Sequence, residues 1–131
     1  YVYEGKDIPP NPAVETFIKE EREKAGITPR AFTDLEIVDR YMTAMIAEAA
    51  RVVEDGTARR PLDVDMVFLF GYGFPRHRGG PLHYADTIGA AALVDRIKTY
   101  AKEDATYWQV PALLEKMAAN GTSFADMNKE A

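Results

Sequence analysis

Residues 71–86, with the sequence GYGFPRHRGGPLHYAD, combine residue types that bind anions or carry protons. The segment holds four glycines, three aromatic residues, two arginines and both histidines of the chain. Arg76 and Arg78, with the amides of the Gly-Gly pair that follows, could form an anion site ahead of Pro81. A dinucleotide fingerprint needs a preceding strand and a P-loop needs Gly-Lys-Ser/Thr, and neither accompanies this segment. The alternative is packing, in which glycines let the backbone approach a neighbour and aromatic rings fill an apolar surface.

The two histidines are the candidates for acid–base chemistry. Either His77 or His83 could act as a general base, and Asp86 lies three residues after His83, on the same helix face. The segment supplies no nucleophile motif and no second carboxylate at a matched spacing. Histidines in a solvated loop are the more common case, so these residues alone do not indicate a catalytic site.

Two acidic pairs, Asp63 with Asp65 and Glu54 with Asp55, could suggest a site for a hard cation, but no EF-hand spacing surrounds them. We predict instead that Asp63 caps a helix N-terminus and that the second pair is a solvated helix end. With no cysteine and two histidines, the chain has no thiolate or histidine cluster for a metal. We therefore expect no metal site and no catalytic residue in these residues.

The composition, with 131 residues of which 47% are hydrophobic and 28% charged, is typical of one folded domain. A net charge of −5 argues against nucleic acid as a partner, because such binding needs a basic face. No apolar run reaches the roughly 18 residues of a membrane span, and no signal-peptide pattern opens the chain. We expect an intracellular protein, and the absence of cysteine suits a reducing compartment. The start at Tyr1, without a methionine, predicts a processed chain or a fragment.

Helix signals cover most of the chain. Asn11 followed by Pro12 predicts a helix start, and Gly26 predicts its end. Thr33 and Glu36 form a capping-box pattern, and the long helix behind it should end near residue 56. The predicted inward stripe of this helix, at a 3.6-residue period, consists of Val38, Tyr41, Met42, Met45, Ile46, Ala49, Val52 and Val53.

Shorter helices are predicted over 63–71, 81–85, 90–102 and 111–119. The apolar run at 63–71 could also be a strand, but the chain offers no second strand to pair with it. The predicted fold is therefore a single all-α domain of five or so helices. It divides into a lead-in at 1–32, a helical core at 33–119 with a loop at 71–80, and a tail at 120–131 with Phe124 and Met127 as possible anchors.

The chain resembles the C-terminal helical region of 3-hydroxyacyl-CoA dehydrogenases, in particular the last domain of the multifunctional fatty-acid β-oxidation enzymes. Three stretches carry the resemblance: YVYEG, DLEIVDRYMTAMIAEAARVVEDG and RRPLDVDMVFLFGYGFPRHRGGPLHYADTIG. It spans residues 1 to about 100, and 71–86 is its most specific part. The resemblance implies a compact multi-helix domain like the C-terminal domains of 3-hydroxyacyl-CoA and 6-phosphogluconate dehydrogenases.

The resemblance also implies that the reaction is carried out elsewhere in a longer polypeptide. In that family NAD and the catalytic histidine–glutamate pair belong to an N-terminal Rossmann domain. A first helical repeat supplies a substrate-side asparagine within Val-Asn-Arg, whereas this chain has Val38-Asp39-Arg40. The chain thus resembles the second repeat, which braces the first, in an enzyme that also carries enoyl-CoA hydratase. The implied partners are the NAD-binding domain and the sister repeat, with acyl-CoA as the substrate of the parent, and the fragment alone is expected to self-associate.

We accordingly predict a surface that contacts the other domains. It consists of Gly71, Tyr72, Gly73, Phe74, Pro75, Arg76, Arg78, Gly79, Gly80, Pro81, Tyr84 and Asp86. The two arginines could also lie near a CoA phosphate in the assembled enzyme. The alternative function is a free-standing helical module that docks a protein partner or acyl-CoA through 71–86. The bacterial cytoplasm is the expected location, because the final NKEA lacks a Ser-Lys-Leu address, and a peroxisome is the alternative.

Overall fold

The structure is a computed structural model that describes residues 5–6 and 9–129. The chain forms two structural units, Tyr1–Thr33 and Asp34–Ala131. The described residues form helices and turns without a β-strand, which confirms the all-α fold. No described helix is both long and apolar enough to cross a membrane. The first four residues of the stretch YVYEG lie outside the described residues.

The first unit contains helix α1, Pro12–Lys24, which begins and ends as predicted. The Asn11 side chain accepts a hydrogen bond from the Ala13 amide at 3.0 Å and so satisfies a donor that the helix leaves free. The helix is amphipathic, yet none of its residues is buried. Its apolar side chains Val14, Phe17 and Ile18 are all exposed.

The second unit begins with α2, Asp34–Glu54, which starts directly after Thr33 as predicted. The buried positions of α2 are Met42, Thr43, Ile46, Ala47, Ala49 and Ala50. The prediction was wrong for Val38 and Tyr41, because Tyr41 is 63% exposed and Val38 is also exposed. The buried stripe is rotated toward Met42 and Ile46, on the side where α2 contacts the later helices of this unit.

Five further α-helices lie in the described part of the second unit, and four of them were predicted. They are α3 Pro61–Gly71, α4 Pro81–Ile88, α5 Ala90–Tyr100, α6 Ala112–Asn120 and α7 Phe124–Met127. The fifth, α7, lies in the segment that the sequence presented as a tail. Phe124 at its start is only 2% exposed and belongs to the hydrophobic core. Burying a phenylalanine side chain stabilises a fold by about 1.5–3 kcal/mol, so residues 120–128 contribute to the folded unit.

The core of the second unit lies where α2, α4, α5 and α6 meet. Its largest fully buried apolar side chains are Phe124, Ile46, Leu82, Leu93, Ile97 and Leu114. The inward positions predicted for α5, Leu93, Val94 and Ile97, are buried as expected. Trp108 packs partly buried against this core, with its ring centroid 4.8 Å from that of Tyr100.

The predicted cap of α3 was wrong. The helix begins at Pro61, which makes Asp63 a residue of its first turn rather than its N-cap. The Asp63 carboxylate pairs with the side chain of Arg60 at 2.7 Å instead. Because proline is favourable at a helix start, α3 begins at Pro61, two residues before Asp63 itself.

Candidate functional site

The segment 71–86 lies between α3 and α4 and continues through most of α4. It contains a short 3₁₀ helix, Arg76–Arg78, followed by Gly79 and Gly80. Both glycines have positive φ, 72° and 107° respectively. Glycine adopts positive φ without the steric penalty that other residues carry. At these two positions it lets the chain turn into Pro81, at the start of α4.

Asp65 of α3 holds the start of α4. Its side chain is buried, with the residue 3% exposed, and its oxygens accept hydrogen bonds from the amides of Leu82 at 2.8 Å and His83 at 3.0 Å. Burial raises the pKa of this carboxyl group, and the hydrogen bonds from the two amides oppose that rise. The first amides of α4 therefore serve a carboxylate of the same unit. Of the two amides that the anion-site hypothesis used, that of Gly79 donates a hydrogen bond to the Arg76 carbonyl at 3.1 Å.

Gly80 is required by this contact. A Cβ atom added to Gly80 would overlap the Asp65 carboxylate, and one added to Gly79 would overlap the imidazole ring of His83. The sequence predicted that glycines of this segment let the backbone approach a neighbour. At these two positions the neighbour is a side chain of the same structural unit.

Asp86 of α4 holds the start of α7. Its two carboxylate oxygens accept hydrogen bonds from the amides of Phe124 and Ala125, both at 2.9 Å. No hydrogen bond among the described residues joins this carboxylate to His83, so the histidine–carboxylate pair considered from the sequence does not form. Asp86 instead satisfies two of the backbone donors that a helix start leaves free.

Asn128, directly after α7, closes a cycle. Its side-chain oxygen accepts a hydrogen bond from the Leu62 amide at 2.9 Å, at the start of α3. Asp65 on α3 thus caps α4, Asp86 on α4 caps α7, and Asn128 after α7 caps α3. We call these three side chains the capping ring. Sequence analysis considered Asp65 only as half of an acidic pair and did not single out Asn128. The available signal for Asp65 was its charge next to the apolar run that follows it.

The remaining predicted contact residues divide into buried and exposed groups. Phe74 is buried, and its ring meets that of Phe68 edge to face at 6.1 Å between centroids. Tyr72 is 76% exposed, although its ring also contacts Phe68. The guanidinium of Arg76 lies 5.9 Å from the ring centroid of Phe70, which is itself exposed. Gly71, Gly73 and Pro75 are exposed as well.

Arg78 faces the other side of the loop. Its guanidinium lies 4.4 Å from the ring centroid of Tyr84, which permits a cation–π contact. It lines a cavity of about 320 Å³ together with His77, His83, Tyr84 and Thr87. We call this cavity the basic pocket.

A larger apolar groove runs between α2 and α3, with a volume of about 720 Å³. Its apolar lining includes Met45, Val52, Val64, Val67, Phe68 and Tyr72. Glu48, Arg59 and Asp63 also line it. Tyr72 therefore belongs both to the segment 71–86 and to this groove, which we call the α2–α3 groove.

The triplet Val38-Asp39-Arg40 lies near the start of α2 in a network of charges. Asp39 pairs with Arg96 of α5 at 3.4 Å. Arg40 pairs with Glu36 at 3.2 Å and Glu103 at 2.7 Å, and its guanidinium lies over the ring of Tyr100. Burial raises the pKa of Tyr100. Asp39 therefore occupies an ion pair that joins α2 to α5.

The family comparison identifies one domain type. A family model described as "3-hydroxyacyl-CoA dehydrogenase, C-terminal domain" matches residues 37–127. This range contains α2 from Ile37 onward and every later helix, including the whole segment 71–86 and α7.

Curated proteins that are similar to this chain align with most of its length. The chain is 39% identical over 115 residues, 86% of its length, to a "Peroxisomal bifunctional enzyme" of Danio rerio. It is 32% identical over 126 residues, 92% of its length, to a peroxisomal fatty acid beta-oxidation multifunctional protein of Arabidopsis thaliana. It is 39% identical over 100 residues, 76% of its length, to a "Fatty acid oxidation complex subunit alpha" of Shewanella amazonensis. The chain spans 16%, 18% and 14% of these three relatives, respectively.

Proposed function

Because the chain belongs to the family of 3-hydroxyacyl-CoA dehydrogenase C-terminal domains, we propose that it serves such an enzyme as a packing domain rather than as the catalytic domain. The parent would be an NAD-dependent 3-hydroxyacyl-CoA dehydrogenase of fatty-acid β-oxidation that also carries enoyl-CoA hydratase. The family match over 37–127 and the bifunctional and multifunctional relatives support this proposal.

The geometry of the motif residues supports a structural role. Asp65 and Asp86, the carboxylates nearest the histidines, each bind two backbone amides of a helix start. A general base must present its proton-accepting atom to a substrate, and these oxygens are instead used inside the fold. The most specific part of the family motif thus builds the domain, and this observation carries the proposal.

The described residues do not fit the pyrophosphate of NAD. A dinucleotide site places the pyrophosphate against free amides at a helix N-terminus that follows a strand. Here the Leu82 and His83 amides of α4 are already hydrogen-bonded to the Asp65 carboxylate, so they are not free to bind a pyrophosphate. We therefore assign NAD to a Rossmann domain of the parent and derive no step through it in this chain.

The exposed apolar side chains indicate where the domain would contact the rest of its parent. Tyr72 and Phe70 are more than two-thirds exposed, at 76% and 72%, and Tyr72 also lines the α2–α3 groove. Large exposed apolar patches typically mark a protein interface. We propose that this surface packs against the sister helical repeat or the NAD-binding domain, and that the isolated chain self-associates through it.

The proposal is tested by comparing the 131-residue chain with the full gene product. We expect the full product to reduce NAD with 3-hydroxyacyl-CoA and the chain alone to give no turnover above background. Turnover by the purified chain would overturn the packing role. A gene product no larger than this chain would favour the free-standing module instead.

The cellular setting is a separate part of the proposal. We propose the bacterial cytoplasm, and the relatives named as peroxisomal enzymes make a peroxisome the alternative. Fractionation of the source cells, followed by detection with an antibody against this chain, distinguishes the two. Recovery in a peroxisomal fraction would exclude the bacterial setting.

A further inference from the structure

The basic pocket contains the described chain's clearest unsatisfied polar group. Nη1 of Arg78 is shielded from solvent and has no hydrogen-bond partner among the described residues. Buried polar atoms are nearly always hydrogen-bonded, so an orphaned guanidinium N–H calls for an acceptor that is absent from the folded chain. Arg78 also forms no ion pair with any described carboxylate.

The described side chains that line the pocket bear nitrogen or hydroxyl groups and no carboxylate. Arg78, His77 and His83 supply nitrogen groups, while Tyr84 and Thr87 supply hydroxyl groups. No described carboxylate lines the pocket, although the chain as a whole carries a net charge of −5. In an acidic protein, a cavity lined by an arginine and by no described carboxylate favours an anion through its local field.

The key side chains are also held in place. The Arg78 guanidinium is stacked on the Tyr84 ring at 4.4 Å. The His83 ring lies against Gly79, since a Cβ at that glycine would overlap it. Thr87 donates its hydroxyl proton to the Tyr84 carbonyl at 2.7 Å, which fixes its rotamer. Such pre-positioning lowers the entropy cost of binding a ligand.

We propose that the basic pocket binds a phosphate group, with Arg78 as its principal ligand. A phosphate group binds a planar guanidinium with better geometry than it binds a lysine ammonium, because the guanidinium can donate two parallel hydrogen bonds to two phosphate oxygens. His77 and His83 add donors at the rim. Nη1 is shielded from solvent in this structure, so phosphate binding requires the Arg78 side chain to turn toward the cavity that it lines.

This pocket differs from the anion site considered from the sequence alone. That hypothesis combined Arg76 and Arg78 with the amides of Gly79 and Gly80. The guanidinium of Arg76 instead lies near Phe70, and the Gly79 amide donates a hydrogen bond to the Arg76 carbonyl at 3.1 Å. Only Arg78 of the original set lines the basic pocket.

The test uses the 131-residue chain and nuclear magnetic resonance of its histidine rings. The chain has two histidines and both line the pocket, so their ring signals report on this site. We expect inorganic phosphate to shift both ring signals in a saturable manner, beyond the effect of chloride at equal ionic strength. Unchanged histidine signals at millimolar phosphate would overturn the proposal.

Two arginine substitutions distinguish phosphate binding at the basic pocket from a general effect of the net charge. Arg78→Gln should weaken phosphate binding by about tenfold or more, the scale of a lost charge-assisted hydrogen bond. The matched control Arg76→Gln removes the same charge two residues away, outside the pocket, and should leave the affinity nearly unchanged. Equal weakening by both changes would overturn the proposal. Arg78→Lys, which keeps the charge but loses the planar fork, serves if Arg78→Gln does not fold.

A second ligand, coenzyme A, tests where the bound phosphate comes from. This choice of ligand rests on the proposed function. Tighter binding of coenzyme A than of inorganic phosphate, lost in Arg78→Gln, would support a coenzyme phosphate. Equal binding would support a free phosphate ion. If neither binds but Arg78→Gln prevents assembly of the full gene product, a protein carboxylate is the missing acceptor and the phosphate proposal is wrong. Dehydrogenase activity of the full product is measured separately, so failure of either proposal leaves the other intact.

Discussion

The two halves of the segment 71–86 use similar residues in opposite ways. The first half, 71–76, carries Tyr72 and Arg76 on the surface, and its glycine at position 73 has open space around it. The second half, 79–86, packs its Gly-Gly pair against Asp65 and His83 and uses Asp86 to cap α7. Glycine, aromatic and charged residues therefore have no fixed role in this motif, because the tertiary neighbour of each one decides it.

The largest expected effect on stability comes from substituting a glycine in the second half, which is compared with a glycine in the first half. Gly80→Ala should destabilise the fold by about 3 kcal/mol or more, because it combines a strained positive φ with overlap of the Asp65 carboxylate. The free energy of unfolding is measured by denaturant titration.

The matched control is Gly73→Ala in the first half. Gly73 also has positive φ, 67°, but no described atom lies within 4 Å of an added Cβ. We expect a loss of about 1 kcal/mol from backbone strain alone. Equal losses at the two glycines would show that the contact with Asp65 contributes nothing.

The next effect concerns the buried carboxylate beneath the second half. Asp65→Ala leaves the amides of Leu82 and His83 without their acceptor and should cost about 2–3 kcal/mol of stability. Asp63→Ala, two residues earlier, removes a solvent-screened ion pair with Arg60 and should cost clearly less. Comparable losses in the two variants, measured by thermal unfolding, would contradict the assignment of Asp65 as the cap.

A smaller effect tests whether the capping ring is closed. Asn128→Ala removes the acceptor of the Leu62 amide and should cost about 1 kcal/mol, the usual scale of a lost helix cap. Hydrogen exchange of the Leu62 amide should accelerate, because its donor becomes free. Replacement of Asn120, the last residue of α6, serves as the control and should leave that amide unchanged. Unaltered exchange at Leu62 in Asn128→Ala would show that the ring is open.

The exposed half should respond in assembly rather than in folding. Tyr72→Ala should change the stability of the isolated chain by no more than about 0.5 kcal/mol, as expected for a largely exposed side chain. In the full gene product it should weaken domain packing and lower the temperature of unfolding. A change confined to the isolated chain would show that Tyr72 acts within the fold and would argue against the proposed contact surface.

The smallest effect is a pH dependence at the end of α7. Hydrogen bonds from Lys129 and Ser123 lower the pKa of Asp126 from 3.8 to about 2. A lowered carboxyl pKa in the folded state contributes stability at pH values above 3.8, and this contribution is lost as the pH falls toward 2. Asp126→Asn should therefore lower the unfolding temperature near neutral pH and converge with the unsubstituted chain at the acid end. If the two chains differed in unfolding temperature by the same amount at neutral and at acid pH, the stabilising role of the ionised Asp126 would be contradicted.

The sequence by itself determined the all-α class and the positions of most helices. Asn11 with Pro12, Gly26 after α1, and the start of α2 after Thr33 all lie within a few residues of the helix ends they mark. Such signals are readable because caps and helical periodicity depend on neighbours within about four residues. The family was also recognisable from the motif at 71–86, and the family model confirmed it.

Only the tertiary structure decided what the motif residues do. Asp65 meets amides 17 and 18 residues away, Asp86 meets amides 38 and 39 residues away, and Asn128 meets one 66 residues away. No local pattern specifies which helix start a distant carboxylate will reach. The same reason explains the incorrect cap at Asp63 and the exposed Tyr41, since the side of a helix that is buried depends on where later helices pack against it.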